Sequence, residues 1–201
     1  MKRSKRIAIT AVGLALIVIF GLMPISFGTA TIALTLLPVL VLALTQDWKI
    51  TLTAGLIMGL VSLIGAFTTG AGNITAPLFR NPLVSVVTRM IAPLVAHGLQ
   101  RLLLAAERRG KEEGHAPRKA AKIAIDAVCA AVGVVANTAL VLGMIWLLYG
   151  GKTVGDSAIT PEFMSAMISI NFVIELIAFT LLTPPIVYAI NAQEGKHASG
   201  N

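Results

Sequence analysis

Apolar runs of helix-spanning length, joined by short polar connections, constrain this chain more than any other feature. At a rise of about 1.5 Å per residue, roughly 20 apolar residues cross a hydrocarbon core about 30 Å thick. Such runs occupy about residues 7–23, 30–45, 50–67, 82–105, 121–149 and 163–190. The last two exceed the needed length, so tilt or projecting ends are expected. Of 201 residues, 56% are hydrophobic and only 12% charged, far from a soluble domain with about 25% charged residues. The expected fold class is therefore an all-α integral membrane protein with six transmembrane helices, forming a single domain over residues 1–201.

The first run is too long, and too weakly ended, for a cleaved signal peptide, and is expected to remain as a helix. Pro38 falls inside the second run, where a membrane helix tolerates it. The third carries Gly55, Gly59 and Gly65, spaced to put small residues on one face for close packing. The stretch from Thr68 to Asn81 reads as an external loop, and Pro82 opens the fourth run at a position that suits proline. The single cysteine, Cys129, excludes an intramolecular disulfide and any cysteine-rich metal site.

The formal net charge of +7 is concentrated rather than spread. Lys2, Arg3, Lys5 and Arg6 precede the first run, and seven more cations from Arg101 to Lys122 surround the connection after the fourth. No aromatic residues interleave with them, which argues against stacking on nucleic acid. Lys- and Arg-rich connections are instead retained in the cytoplasm. With both termini cytoplasmic, all 16 Lys and Arg fall at inner positions or helix ends except Arg80, Arg89 and Lys152.

Ionisable groups within a span are costly and mark interior or cavity positions. Arg89 lies roughly 9 Å into the fourth helix from outside. Asn171 and Glu175, four apart on one face of the sixth, lie roughly 13 and 20 Å deep, and Asn137 roughly 17 Å deep on the fifth. Matched depth points to a pocket entered from outside, with Arg89 able to pair with an anionic group; an internal Arg89–Glu175 ion pair is the alternative. His97 has no partner at metal-ligand spacing, and Asp126 is expected to pair with a basic neighbour such as Lys122. No hydrolase, zinc-protease or phosphate-loop signature is present, so this chain is read as a non-enzyme with no cofactor of its own.

The stretch Asn81-Pro-Leu-Val-Ser-Val-Val-Thr-Arg89 resembles the N-P-L-x-S-x-x-P-R segment of the substrate-binding S components of energy-coupling factor (ECF) vitamin transporters, in their folate- and pantothenate-like branch. Asn137-Thr138 with Leu142-Gly143, then Tyr149-Gly150, resembles the N-T-x-x-V-L-G segment of the same branch. Thr88 stands where that pattern carries proline. The resemblance implies a bacterial cell-membrane protein that binds a vitamin near the external face, between helices four to six. Asn81, Arg89, Asn137, Trp146, Tyr149, Asn171 and Glu175 are the substrate-binding candidates. It also implies that Ala11 and Ala15 fill an A-x-x-x-A contact with a transmembrane coupling subunit, while two partner ATPases use the ATP. One internal cation suits the carboxylate of pantothenate or of folate, while few aromatics favour pantothenate over folate or another vitamin. An ion-coupled transporter acting alone, or a membrane scaffold, are the competing readings.

Overall fold

The computed structural model describes residues 3–22, 25–27, 30–32, 34–68, 75–109, 119–155, 157–167 and 170–198. In chain order these form α1 (Arg3–Leu22), β1 (Ile25–Phe27), β2 (Ala30–Ile32), α2 (Leu36–Thr45), α3 (Trp48–Thr68) and α4 (Ala76–Phe79). A π-helical turn (Leu83–Val87) then leads into α5 (Thr88–Arg109), followed by α6 (Lys119–Tyr149), β3 (Thr153–Val154), β4 (Ser157–Ala158), α7 (Pro161–Met167) and α8 (Ile170–Ala198). The protein is an all-α membrane protein apart from two short hairpins, β1 with β2 and β3 with β4, both antiparallel.

Among the described residues, five helical stretches are long and apolar enough to cross a membrane: Ser4–Leu22, Trp48–Thr68, Leu83–Arg108, Lys119–Tyr149 and Pro161–Ala192. The second apolar run departs from the expected helix over 30–45. Its first residues form β2, paired Ile25 to Ile32 and Phe27 to Ala30, and the helix covers only Leu36–Thr45. Two local preferences explain this. Thr31 and Ile32 are β-branched and suit a strand. Starting the helix at Leu36 places Pro38 in the first turn, where no intrahelical N–H is required.

With ten residues, α2 is about 15 Å long. Leu36 and every residue from Pro38 to Leu44 are buried, as expected of a helix apolar on all sides. It packs against α1, α3, α5, α6 and α8. Its Val39, Leu40 and Leu42 meet Ile17 of α1, Met58 of α3, Ala96 of α5, Val134 of α6 and Phe179 of α8 in the central apolar cluster. A smaller cluster of Leu44, Cys129 and Val187 lies toward the end marked by the C-terminus of α2. At the opposite end Leu78, Val84, Val141, Ile145 and Ile159 form a third cluster, against which α7 packs through Phe163, Met164 and Met167.

A helix ending inside the protein must find partners for its last carbonyls. For α2, α5 supplies them: Nδ1 of His97 contacts the Ala43 carbonyl at 2.7 Å, and Nε2 of Gln100 donates to the Leu44 carbonyl at 3.1 Å. Because a carbonyl only accepts, His97 carries its proton on Nδ1. The same Gln100 amide donates to Oδ1 of Asp126 at 2.6 Å, so Asp126 is tied across the helix interface to Gln100, with Lys122 adding attraction on its own helix. Arg6 pairs with Asp47, joining the start of α1 to the α2–α3 turn.

His97→Ala and Gln100→Ala each leave a buried carbonyl unpaired, which costs about 1–3 kcal/mol. A lowered thermal unfolding midpoint of the detergent-purified protein is expected for both, with the larger fall in Gln100→Ala because Asp126 loses its partner too. Unchanged midpoints would show that α2 does not depend on these contacts.

Candidate functional site

The third cluster forms a roof over the polar residues. α4 begins after Thr75 with Pro77 in its first turn and presents Leu78 and Phe79 to the cluster. The chain turns at Gly151 before β3 and at Gly155 after it, with φ of 71° and 60°, a region that favours glycine. A Cβ on Gly155 would lie 3.4 Å from Pro77, so the β3–β4 hairpin touches α4. Two cations on this side act as helix-end caps: Arg80 donates through Nε to the Ala66 carbonyl near the end of α3, and Lys152 through Nζ to the Leu148 carbonyl of α6. That accounts for Arg80 and Lys152 standing apart from the other cations, since positive charge is favoured at helix C-termini.

Beneath the roof, Asn81 organises the entry to α5. Its carbonyl accepts from the backbone N–H of Val84 and Ser85, and its Oδ1 accepts from that of Leu83 at 3.0 Å. Its Nδ2 donates to the Tyr149 hydroxyl at 2.9 Å, linking the start of this segment to the end of α6. Asn81 and Tyr149 are thus engaged with each other. The π-helical turn follows, and Thr88 returns its hydroxyl to the Val84 carbonyl. A hydroxyl bond to the preceding turn bends a helix. Thr88 and the π-helical turn therefore supply an irregularity where the sequence pattern led us to expect proline.

Arg89 emerges from this turn, half-buried. Its Nη1 donates to the Ser85 carbonyl at 3.3 Å, and its guanidinium lies 5.1 Å from the centre of the Phe79 ring, a cation–π contact that sequence reasoning missed. The only hint of Phe79 was the Thr75-Ala76-Pro77 helix start in a stretch read as loop. Glu175 of α8, 8% exposed, is close enough to attract the guanidinium electrostatically. Asn137 is 8% exposed on α6, the helix packed between α5 and α8. Among the described residues, two buried atoms here have no hydrogen-bond partner, Nε of Arg89 and Oδ1 of Asn137.

Arg89 and Glu175 are therefore within electrostatic reach of each other, Asn137 is buried on the helix packed between theirs, and Asn81 and Tyr149 form a bonded pair. Trp146 does not join them: it lies off the buried stripe Asn137–Val141–Ile145 and is 47% exposed. The side chain of Asn171 lies outside the described residues. A separate apolar groove of about 480 Å³ runs between α1, α2 and α8, lined by Val12, Leu16, Pro38, Val41 and Ile186 among others, well apart from Arg89.

A bundle of apolar helices that brings a half-buried cation and a buried carboxylate within electrostatic reach of each other has the character of a membrane transport subunit. Residues 5–187 match the family model described as ECF transporter, substrate-specific component, and the chain belongs to that family. No individually curated protein matches the sequence significantly.

The Asn81–Tyr149 bond is expected to contribute about 0.5–1.5 kcal/mol. In a double-mutant cycle of Asn81→Ala and Tyr149→Phe followed by thermal unfolding, the combined loss should be smaller than the sum of the single losses. Strict additivity would mean that the bond contributes nothing.

Proposed function

We propose that this protein captures pantothenate at the external side of a bacterial membrane and delivers it inward as part of an ECF importer. The observation that carries the proposal is the pair of buried, unpartnered polar atoms on neighbouring helices, Nε of Arg89 and Oδ1 of Asn137. Buried polar groups are nearly always hydrogen-bonded. A ligand satisfying this pair brings an acceptor, best a carboxylate, to Arg89 and a hydroxyl or amide N–H to Asn137. Pantothenate offers both. Folate also offers a carboxylate, but its pterin calls for an aromatic platform, and the partly buried ring beside Arg89, Phe79, is covered by the guanidinium.

Transport by this reading follows from the exterior. Of the candidate spans, α1 is the least covered, 11% buried against 39–44% for those built on α3, α5 and α6. Ala11 and Ala15 are exposed on it, whereas Gly13 between them faces Leu42 of α2. Small exposed residues let a partner helix approach closely. The coupling subunit would dock on this face, the whole bundle would topple against it, and two partner ATPases would supply the energy. In this reading the N-terminus and the C-terminus are cytoplasmic.

The first test is the thermal-stability shift of the purified protein with pantothenate, folate, riboflavin, thiamine and biotin. A ligand at a hundredfold excess over its Kd stabilises the folded state by about 2.7 kcal/mol. A shift with pantothenate alone, lost in Arg89→Ala, is expected; a shift with another of the five would replace the substrate, and none at all would overturn capture of these vitamins.

Leucine at Ala11 and Ala15 should leave that shift intact and reduce ATP-driven uptake in vesicles containing the partner subunits at least tenfold. Uptake by this chain alone would instead support the solitary transporter.

A further inference from the structure

The backbone that carries Arg89 is irregular on both sides. Before it lies the π-helical turn Leu83–Val87, in which the chain accommodates one residue too many for a regular helix. After it comes Pro93, which has no N–H to give the Arg89 carbonyl four residues earlier. Left to itself, such a segment would not fix the direction of the Arg89 side chain.

What meets it is the backbone of α3. A Cβ on Gly55 would collide with the Arg89 carbonyl oxygen and lie 2.9 Å from Cα of Met90. One turn on, a Cβ on Gly59 would lie 2.6 Å from Cα of Val86 and 2.9 Å from the Ser85 carbonyl oxygen. That Ser85 oxygen is the acceptor for Nη1 of Arg89. The two glycines therefore press on the two carbonyls that matter most here, the one Pro93 leaves without its helical donor and the one the guanidinium grips. Close Cα–H contacts to carbonyls are a recurring feature of such helix interfaces. Gly65, at the third position of the same sequence series, has nothing within 4 Å of its Cβ position and takes no part.

We infer that Gly55 and Gly59 are positioning residues which, with Pro93, set the Arg89 guanidinium for recognition of a ligand carboxylate. The inference rests on the reading of Arg89 as the anion contact. Neither glycine touches the ligand; they act through the carbonyls of Ser85 and Arg89. A merely structural role for them would lower the affinity for charged and neutral ligands alike. Positioning of Arg89 changes the preference between them.

The test measures binding of pantothenate and of its uncharged carboxamide to the full-length protein in detergent. Gly55→Ala and Gly59→Ala should each reduce the carboxylate-over-carboxamide preference at least tenfold, and Gly65→Ala should keep it. Alanine is otherwise the better helix former, so a loss in the first two cannot come from helix propensity. Pro93→Ala gives a second route that does not crowd the α3 interface: it returns an N–H to the Arg89 carbonyl and should reduce the same preference. Retention of the wild-type preference by Gly55→Ala, Gly59→Ala and Pro93→Ala, while Arg89→Ala loses it, would overturn the positioning role alone. Retention by Arg89→Ala itself would overturn the anion-contact reading on which the inference stands.

Discussion

Inside a bilayer no water is available to satisfy a backbone carbonyl, and the rest of this structure depends on how the short helix α2 meets that constraint. At ten residues α2 ends within the protein, so its C-terminal carbonyls need donors from other elements. His97 and Gln100, one turn apart on α5, supply them, and Gln100 extends the same network to Asp126 on α6. This fixes the register of α5 and α6 against α2 at one end of the bundle. The central cluster around Leu40, Ala96, Val134 and Phe179 then has one arrangement, because the helices that contribute it cannot slide independently.

With the His97 end clamped, irregularity is concentrated at the other end. There α5 starts through a π-helical turn, α4 and the β3–β4 hairpin meet through Pro77 and Gly155, and Asn81 bridges to Tyr149. These contacts are few, and several are single hydrogen bonds, so they open at lower cost than the apolar centre. Polar side chains placed between a rigid core and such a roof suit a ligand that enters from one side. The alternative of a simple internal ion pair accounts for Arg89 and Glu175, which do attract each other, but leaves the buried Oδ1 of Asn137 without a role.

The sequence made the membrane class plain through hydropathy alone, and charge asymmetry picked out Arg80, Arg89 and Lys152 as the cations needing separate explanations. Depth arithmetic also picked out Arg89 and Glu175, which the structure places within electrostatic reach of each other. It did not reveal that the 30–45 run splits into strand and short helix, because apolar composition is the same in both and only Thr31, Ile32 and the place of Pro38 distinguish them. The π-helical turn was equally hidden: one extra residue in a coil of Leu83, Val84, Val86 and Val87 leaves no mark in hydropathy. Asn81 stood out as a candidate site residue but not as the partner of Tyr149, since their separation of 68 residues carries no local signal. Gly55, Gly59 and Gly65 looked alike in spacing, and only the distance to α5 separates the first two from the third.

That separation matters for how the two faces of the molecule relate. α3 packs against α1 on one side and against the π-helical turn and α5 on the other. Gly21 of α1 approaches Val61 of α3 closely, just as Gly55 and Gly59 approach the Arg89 segment. One helix thus forms a common wall between the exposed face that carries Ala11 and Ala15 and the backbone that aims Arg89. If a partner helix presses on α1, the displacement is passed to α3 through tight contact rather than absorbed in loose side chains, because close-packed interfaces yield little. A shift of α3 by a few tenths of an ångström bears directly on the Ser85 and Arg89 carbonyls. On the proposed function, docking of a coupling subunit at α1 and release of a carboxylate from Arg89 would be two ends of one mechanical contact through α3.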